Sequence, residues 1–201
     1  MRKNLGASAA IFPMPVLMIG TYDSEGKVDV MNAAWGMMLD MKKVVLNLTE
    51  SHKTVKNIKE KGFFTVGIAD ASHVVEADFV GIASGNKMHD KFEKSGLHAT
   101  KSEFVDAPII DEFPVTMECK FIEYQDDEYG CGVIGEIVNV SADEKVLDEN
   151  GKIEPSKIDA ILYDPFKHGY YKVGEKVGQA FSDGKKLIWL RIINKLIEYV
   201  V

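Results

Sequence analysis

Short apolar runs separated by polar turns dominate the chain, and their lengths predict strands more often than helices. Val16-Leu17-Met18-Ile19-Gly20-Thr21-Tyr22 is one such run. It ends at Asp23-Ser24-Glu25-Gly26, whose turn residues send the chain back through Lys27–Trp35 as the second arm of a hairpin. Gly36–Met41 is rich in methionine and reads as an irregular connection whose side chains fill core space. Lys43–Leu48 is the next strand. A helix is expected from about Thr54 to Lys61, with Ser51 or Thr54 as N-cap and Gly62 closing it, and Phe63–Ala69 follows as a strand.

The second half repeats this style. Ser72–Asp90 starts at helical spacing (Val74, Val75, Ala77, Asp78), then breaks at Gly81 and again at Ser84-Gly85-Asn86. His89–Gly96 reads as a short helix, and Phe104–Ile110 as an extended connector from which Pro108 excludes helix. Val115–Tyr124 and Cys131–Val140 flank a turn at Gln125–Glu128 and make a second hairpin. Ser141–Pro155 is acidic and turn-rich, lacks the alternating oxygen ligands of a calcium loop, and reads as solvated surface. Tyr163, Tyr170 and Tyr171 could flank a planar ligand, with burial at a subunit contact the favoured role. From Leu187 onward, Trp189, Ile192, Ile193, Leu196, Ile197 and Val200 share one side of a helical wheel, so 187–201 is expected to be an amphipathic extension docked on its own domain or on a second copy. The sum is a mostly β fold with peripheral helices, its antiparallel strands forming a small barrel that removes exposed edges.

Composition narrows the function classes. With 201 residues, 46% hydrophobic and 27% charged, the chain fits one globular domain. A net charge of −7 leaves no broad basic surface, which argues against nucleic acid as a partner. No apolar stretch reaches the roughly 18 to 20 residues that span a bilayer. The opening residues are broken by Pro13 and Pro15 and do not read as a signal peptide, so the expectation is a cytoplasmic protein without a membrane partner. Cys119 and Cys131 are too few for a disulfide framework and sit in no zinc-like cluster; reduced, partly buried thiols are expected.

Candidate chemistry gathers at the turn after Lys43–Leu48. The N-terminus of the following helix offers free N–H groups and a positive dipole end, and His52 and Lys53 add side-chain donors, so the turn could hold an anion such as phosphate. An ordinary capped helix with solvated neighbours is the competing reading. Ser84, Gly85 and Lys87 supply a second polar loop of the same kind. No dinucleotide fingerprint is present, because Gly174-Glu175-Lys176-Val177-Gly178 does not match G-x-G-x-x-G.

Several segments together resemble the flavin reductase-like proteins of the flavoredoxin type. They are Pro13–Asp23, Met31-Asn32-Ala33-Ala34-Trp35, Thr54–Ile58 before Phe63–Val66, Asp78–Lys87, Ala107–Ile110 and Gly135–Glu144, in order over residues 1–186. The resemblance implies an FMN-binding split β-barrel of Greek-key, antiparallel type over that range, a homodimer, and flavin near the subunit interface. Carried onto this chain, it places the backbone of Met31, Asn32, Ala33 and Ala34 along the isoalloxazine edge, with Asn47, Leu48 and Thr49 flanking ring and ribityl chain. His52, Lys53 and Thr54 would take the phosphate, Ser84, Gly85 and Lys87 would complete it, and His168 is a further candidate. The implied activity is electron transfer from NAD(P)H, bound transiently, through FMN to free flavin, ferric iron or a partner protein. Two alternatives stay open: a flavin-binding electron carrier reduced by a protein partner, and a small-molecule-binding barrel without flavin in which Lys53 and Lys87 are surface charges.

Overall fold

The computed structural model describes residues 1–127 and 130–188. The expected amphipathic extension from Leu187 therefore lies almost wholly outside the described residues, as do Glu128 and Tyr129 in the turn of the second hairpin. In chain order the strands and helices begin with β1 (Met14–Pro15), β2 (Leu17–Tyr22), β3 (Val28–Ala33), β4 (Gly36–Asp40), β5 (Lys43–Leu46), α1 (Lys53–Lys61) and β6 (Phe63–Ile68). They continue with α2 (Val74–Ile82), α3 (Lys91–Ser95), β7 (Ala99–Lys101), β8 (Pro108–Ile110), β9 (Val115–Asp127), β10 (Gly130–Ala142), α4 (Pro155–Ile158), β11 (Ile161–Asp164) and β12 (Gly169–Lys172). No described helix is long and apolar enough to cross a membrane.

The main sheet has seven strands in the order β3-β2-β6-β9-β10-β5-β4, all antiparallel. Its edge strands β3 and β4 are consecutive in the chain, joined only by Ala34 and Trp35. Three peptide steps reach at most about 11 Å, whereas the edges of a flat seven-stranded sheet would lie about 29 Å apart. The sheet must therefore curl until its edges nearly meet. The outcome is the expected mostly β architecture with peripheral helices, a rolled half-barrel with an open seam between β3 and β4.

Curling buries β2 on both faces. Leu17 and Ile19 join Leu46, Phe64, Val66 and Val133 inside the barrel, where α1 adds Val55 and Ile58. Val16 and Met18 face the other way, into a second cluster with Val30, Ala77 and Val80 under α2, and with Ile110, Phe113 and Ile161. Each fully buried side chain of this size contributes about 1.5–3 kcal/mol. Cys119 is buried inside the barrel; burial, with the neighbouring Glu118 charge, pushes its thiol up to about 12, so it stays protonated and unreactive.

Several local expectations change. Gly36–Met41 is not an irregular core connection: Gly36–Asp40 pairs with β5 as an edge strand, and Met37, Met38, Leu39 and Met41 are exposed. α1 ends at Gly62 as expected, but His52 occupies its N-cap position without a side-chain cap bond, in place of Ser51 or Thr54. α2 runs through Gly81 to Ile82 instead of breaking there. Within the acidic 141–155 segment, Val146 is fully buried against Val115 and Ile158, so that stretch is anchored and not simply solvated.

One buried ion pair ties the elements near the seam together. Asp29 of β3 lies 3.0 Å from Lys91 of α3, both side chains only 4% exposed, and Thr54 of α1 donates to its other oxygen at 2.7 Å. Truncating one member of such a pair strands the other in the core. Asp29→Ala is expected to lower the unfolding free energy by about 3–5 kcal/mol in urea denaturation, and a loss under about 1 kcal/mol would mean that water reaches Lys91.

Candidate functional site

The seam opens into a cavity of about 370 Å³, within the range of small-ligand pockets. Met31, Asn32, Ala33, Ala34 and Trp35 line it from the end of β3 and the link to β4. Asn47, Leu48 and His52 line it from the turn between β5 and α1, and Asp78, Gly81 and Ile82 from α2. Val16, Tyr163 and Tyr170 complete the wall.

Local bonds hold these pieces in register. Asn47 N donates to Trp35 O at 2.7 Å, and Tyr124 Oη donates to Leu48 O at 3.0 Å. Asn32 Nδ2 donates to Ala77 O at 2.8 Å. The Asn32 amide lies flat on α2, where a Cβ at Gly81 would come within 2.8 Å of it. That close approach explains a glycine that leaves the helix unbroken. Tyr170 Oη donates to Asp78 Oδ1 at 2.8 Å; burial first, then this bond to a carboxylate, raises the Tyr170 pKa above the ordinary phenol value, so its proton stays in place.

The remaining sequence-selected residues surround the cavity without lining it. Thr49 is exposed and accepts at its carbonyl from His52 N at 3.1 Å. Lys53 Nζ lies 3.0 Å from Asp23, and Thr54 is buried with its hydroxyl committed to Asp29. Ser84 and Lys87 are exposed, and Lys87 N donates to Ser84 O at 2.9 Å. Gly85 sits so close to Asp29 that a Cβ would meet its carboxylate at 2.6 Å. Asn86 joins the two polar loops, donating to Ser51 O at 2.9 Å and accepting from Lys56 at 3.3 Å. His168 is exposed, one residue removed from the cavity, with Nδ1 2.6 Å from the Tyr163 hydroxyl.

Trp35, Asp78, Tyr163 and Tyr170 were not among the site residues chosen from sequence. The sequence signals that reach these positions are the tyrosine group near the chain's end and the family-like segments Met31–Trp35 and Asp78–Lys87. α1 itself suits an anion: its first turn holds no acidic residue, and the side chain of its N-cap residue, His52, makes no cap bond.

The Flavin reductase like domain model matches residues 9–167. The fold of flavoredoxin from Desulfovibrio vulgaris (Miyazaki F) superposes with a TM-score of 0.87 at 36% identity, over 92% of this chain and 100% of that one. Flavoredoxin from Methanosarcina acetivorans superposes at 0.84 and 26% identity, over 93% and 99%. A split-barrel-domain protein from Shewanella frigidimarina shares the fold at 0.75 and 23% identity, over 84% of this chain and 86% of that one. The half-barrel with its seam is thus the split β-barrel expected from the sequence.

Asp23, the partner of Lys53, has a pH signature. Burial pushes its carboxyl up, but bonds from Lys53 and the amides of Lys27 and Glu25 outweigh this and hold it below the usual carboxylate range. A depressed folded pKa adds stability that is complete above the unfolded value and is lost as pH falls through the folded one. Asp23→Asn is therefore expected to cost about 1 kcal/mol at pH 7 and less at about pH 2, as the carboxyl of the natural chain becomes protonated. Urea midpoints at the two pH values check this; an equal cost at both would contradict it.

Proposed function

The chain belongs to the flavin reductase-like family, and from that premise we propose that it is an FMN-dependent oxidoreductase, passing electrons from NAD(P)H through bound flavin to a second acceptor. The observation that carries this reading is the cavity, which sets the Met31–Ala34 strip beside the Asn47–His52 turn at the barrel seam. Small side chains at Ala33 and Ala34 let a planar ring approach the β3 backbone closely, and α1 with His52 receives a phosphate at its uncapped N-terminus. Lys53 is already paired with Asp23, and Lys87, exposed on the adjoining loop, is a second ammonium for that anion. Asn32 and the Tyr170–Asp78 pair border the ring position with fixed hydrogen-bonding groups. Bound FMN would supply the capacity to accept a hydride and to hand electrons on; the chain's part is to hold it and leave one face open.

A second reading, an electron carrier reduced by a protein partner, draws on the net charge of −7, which suits docking to a basic protein, and on Trp35, which is 49% exposed at the cavity wall. One experiment separates the readings. Purified protein incubated with FMN is expected to turn yellow and to gain melting temperature as ligand-bound folded state accumulates, then to bleach under anaerobic NADH or NADPH. Yellow protein that bleaches only when a reductase is added favours the carrier, and protein that takes up no FMN sinks both.

We further propose a homodimer formed through β4. Among the described residues β4 is an edge strand with four exposed large apolar groups around it (Met37, Met38, Leu39 and Met41). Such an edge is an aggregation hazard unless something covers it, and a two-fold pairing of copies does so with the same surface twice. Trp35 connects this edge to the cavity, so the flavin would lie beside the interface. Sedimentation is expected to give a dimer for the natural chain and a monomer for Met37→Glu/Leu39→Glu; a monomeric natural chain would overturn the assignment.

A further inference from the structure

The β11–β12 hairpin brings to the cavity a group that holding FMN does not require. Tyr163 lines the cavity, and its hydroxyl is tied to His168 Nδ1 at 2.6 Å on the other side. The two rings stack, with centroids 6.2 Å apart and planes inclined by 28°. Trp35 stands 6.1 Å from Tyr163 on the cavity side, tilted by 48°. Tyr170 stands 6.2 Å from Tyr163 as well, tilted by 56°, so with its hydroxyl engaged Tyr163 meets the cavity as the centre of a cluster of rings.

The turn that carries His168 is built to hold that stack. His168 has φ 59°, a left-handed conformation uncommon for a side-chain-bearing residue. Its N–H donates to Asp164 O at 2.9 Å, and the Asp164 carboxylate, 5% exposed, accepts from Phe166 N at 2.8 Å. A buried carboxylate thus fixes a strained turn whose product is a histidine backing a tyrosine.

We infer that Tyr163, positioned by His168 and flanked by Trp35, is the stacking surface for the second, planar substrate that exchanges electrons with the flavin. The inference rests on the reading that FMN occupies the β3 side of the same cavity. The ligand class is a flat conjugated ring, carried either by a nicotinamide donor or by a free-flavin acceptor. Tyr163 is then a binding residue and His168 a positioning residue.

The test uses FMN-loaded protein. First, FMN affinity is measured by titration for the natural chain, Tyr163→Ala, Tyr163→Phe and His168→Ala. Flavin bleaching is then followed anaerobically against NADH and NADPH, and reoxidation of dithionite-reduced protein against free riboflavin. Tyr163→Ala is expected to raise the half-saturating concentration of the nicotinamide, the riboflavin or both by about tenfold, the scale of one lost ring stack, with limiting rate and FMN affinity little changed. Tyr163→Phe, which keeps the ring, is expected to stay near the natural value, and His168→Ala to fall between. The arm that responds names the source of the ring. Half-saturation unmoved in every arm, FMN affinity lost in proportion, or no reaction with any of these substrates overturns the inference. Failure of the natural chain to bind FMN instead sinks the reading beneath it, and is seen separately in the first titration.

Discussion

Two residues, Ala34 and Trp35, join strands at opposite edges of the main sheet, and the architecture follows from that constraint. So short a link forces the sheet to roll. β3 pairs with β2 and β4 with β5, and the two strands form no ladder with each other, so the seam stays open. The barrel is left split at the point where its backbone is accessible and its side chains are small, and the other elements are arranged around that gap. α2 leans on β3 through Asn32 and Ala77, the β5–α1 turn is pinned to Trp35 through Asn47, and β11–β12 closes the far wall.

A gap of this kind needs rigid borders, which explains the charge buried beside it. Asp29 sits in β3, upstream of the cavity-lining residues, and is gripped by Lys91 from α3 and Thr54 from α1, with Gly85 pressed against it. A desolvated pair gains little net energy over apolar packing, but it tolerates few alternative arrangements. Here it fixes β3, α1 and the 84–87 loop relative to one another. Thr54 therefore contributes to the turn by anchoring it from below through Asp29, while the His52 side chain makes no cap bond to α1.

Local chemistry was legible in the chain. The hairpins, the αL glycine ending α1 and the short helix before Gly96 each announce themselves through turn residues or periodicity. β4 did not, because Met37, Met38 and Leu39 are apolar on both faces and exposed, so neither strand alternation nor a core-facing side marks the segment. Gly81 misled for a different reason: it looks like a helix stop, yet it exists so that Asn32, far away in sequence, can lie against the helix. Tyr163, Tyr170 and Asp78 reach the cavity only through long-range pairing, which no local pattern encodes. Resemblance to a family supplied the strip at Met31–Ala34 and the turn at Asn47–His52, but it left this aromatic wall unnoticed.

The two walls of the cavity differ in construction, and that difference bears on what each can hold. The β3 side belongs to the seven-stranded sheet and presents backbone and small residues fixed by the buried pair, an arrangement suited to a ligand that stays, since preorganised donors lose little freedom on binding. The opposite side is carried by the separate sheet β1-β11-β12, which is hydrogen-bonded to the main body through Ala69, Asp70 and their partners Ile161 and Ala160. Its contribution is the rings of Tyr163 and Tyr170, a surface that favours offset-stacked or edge-to-face contact with another ring. One wall is thus backbone and small residues of the main sheet and the other the aromatic rings of a separate sheet, so the cavity exists only because β1-β11-β12 packs across the open seam.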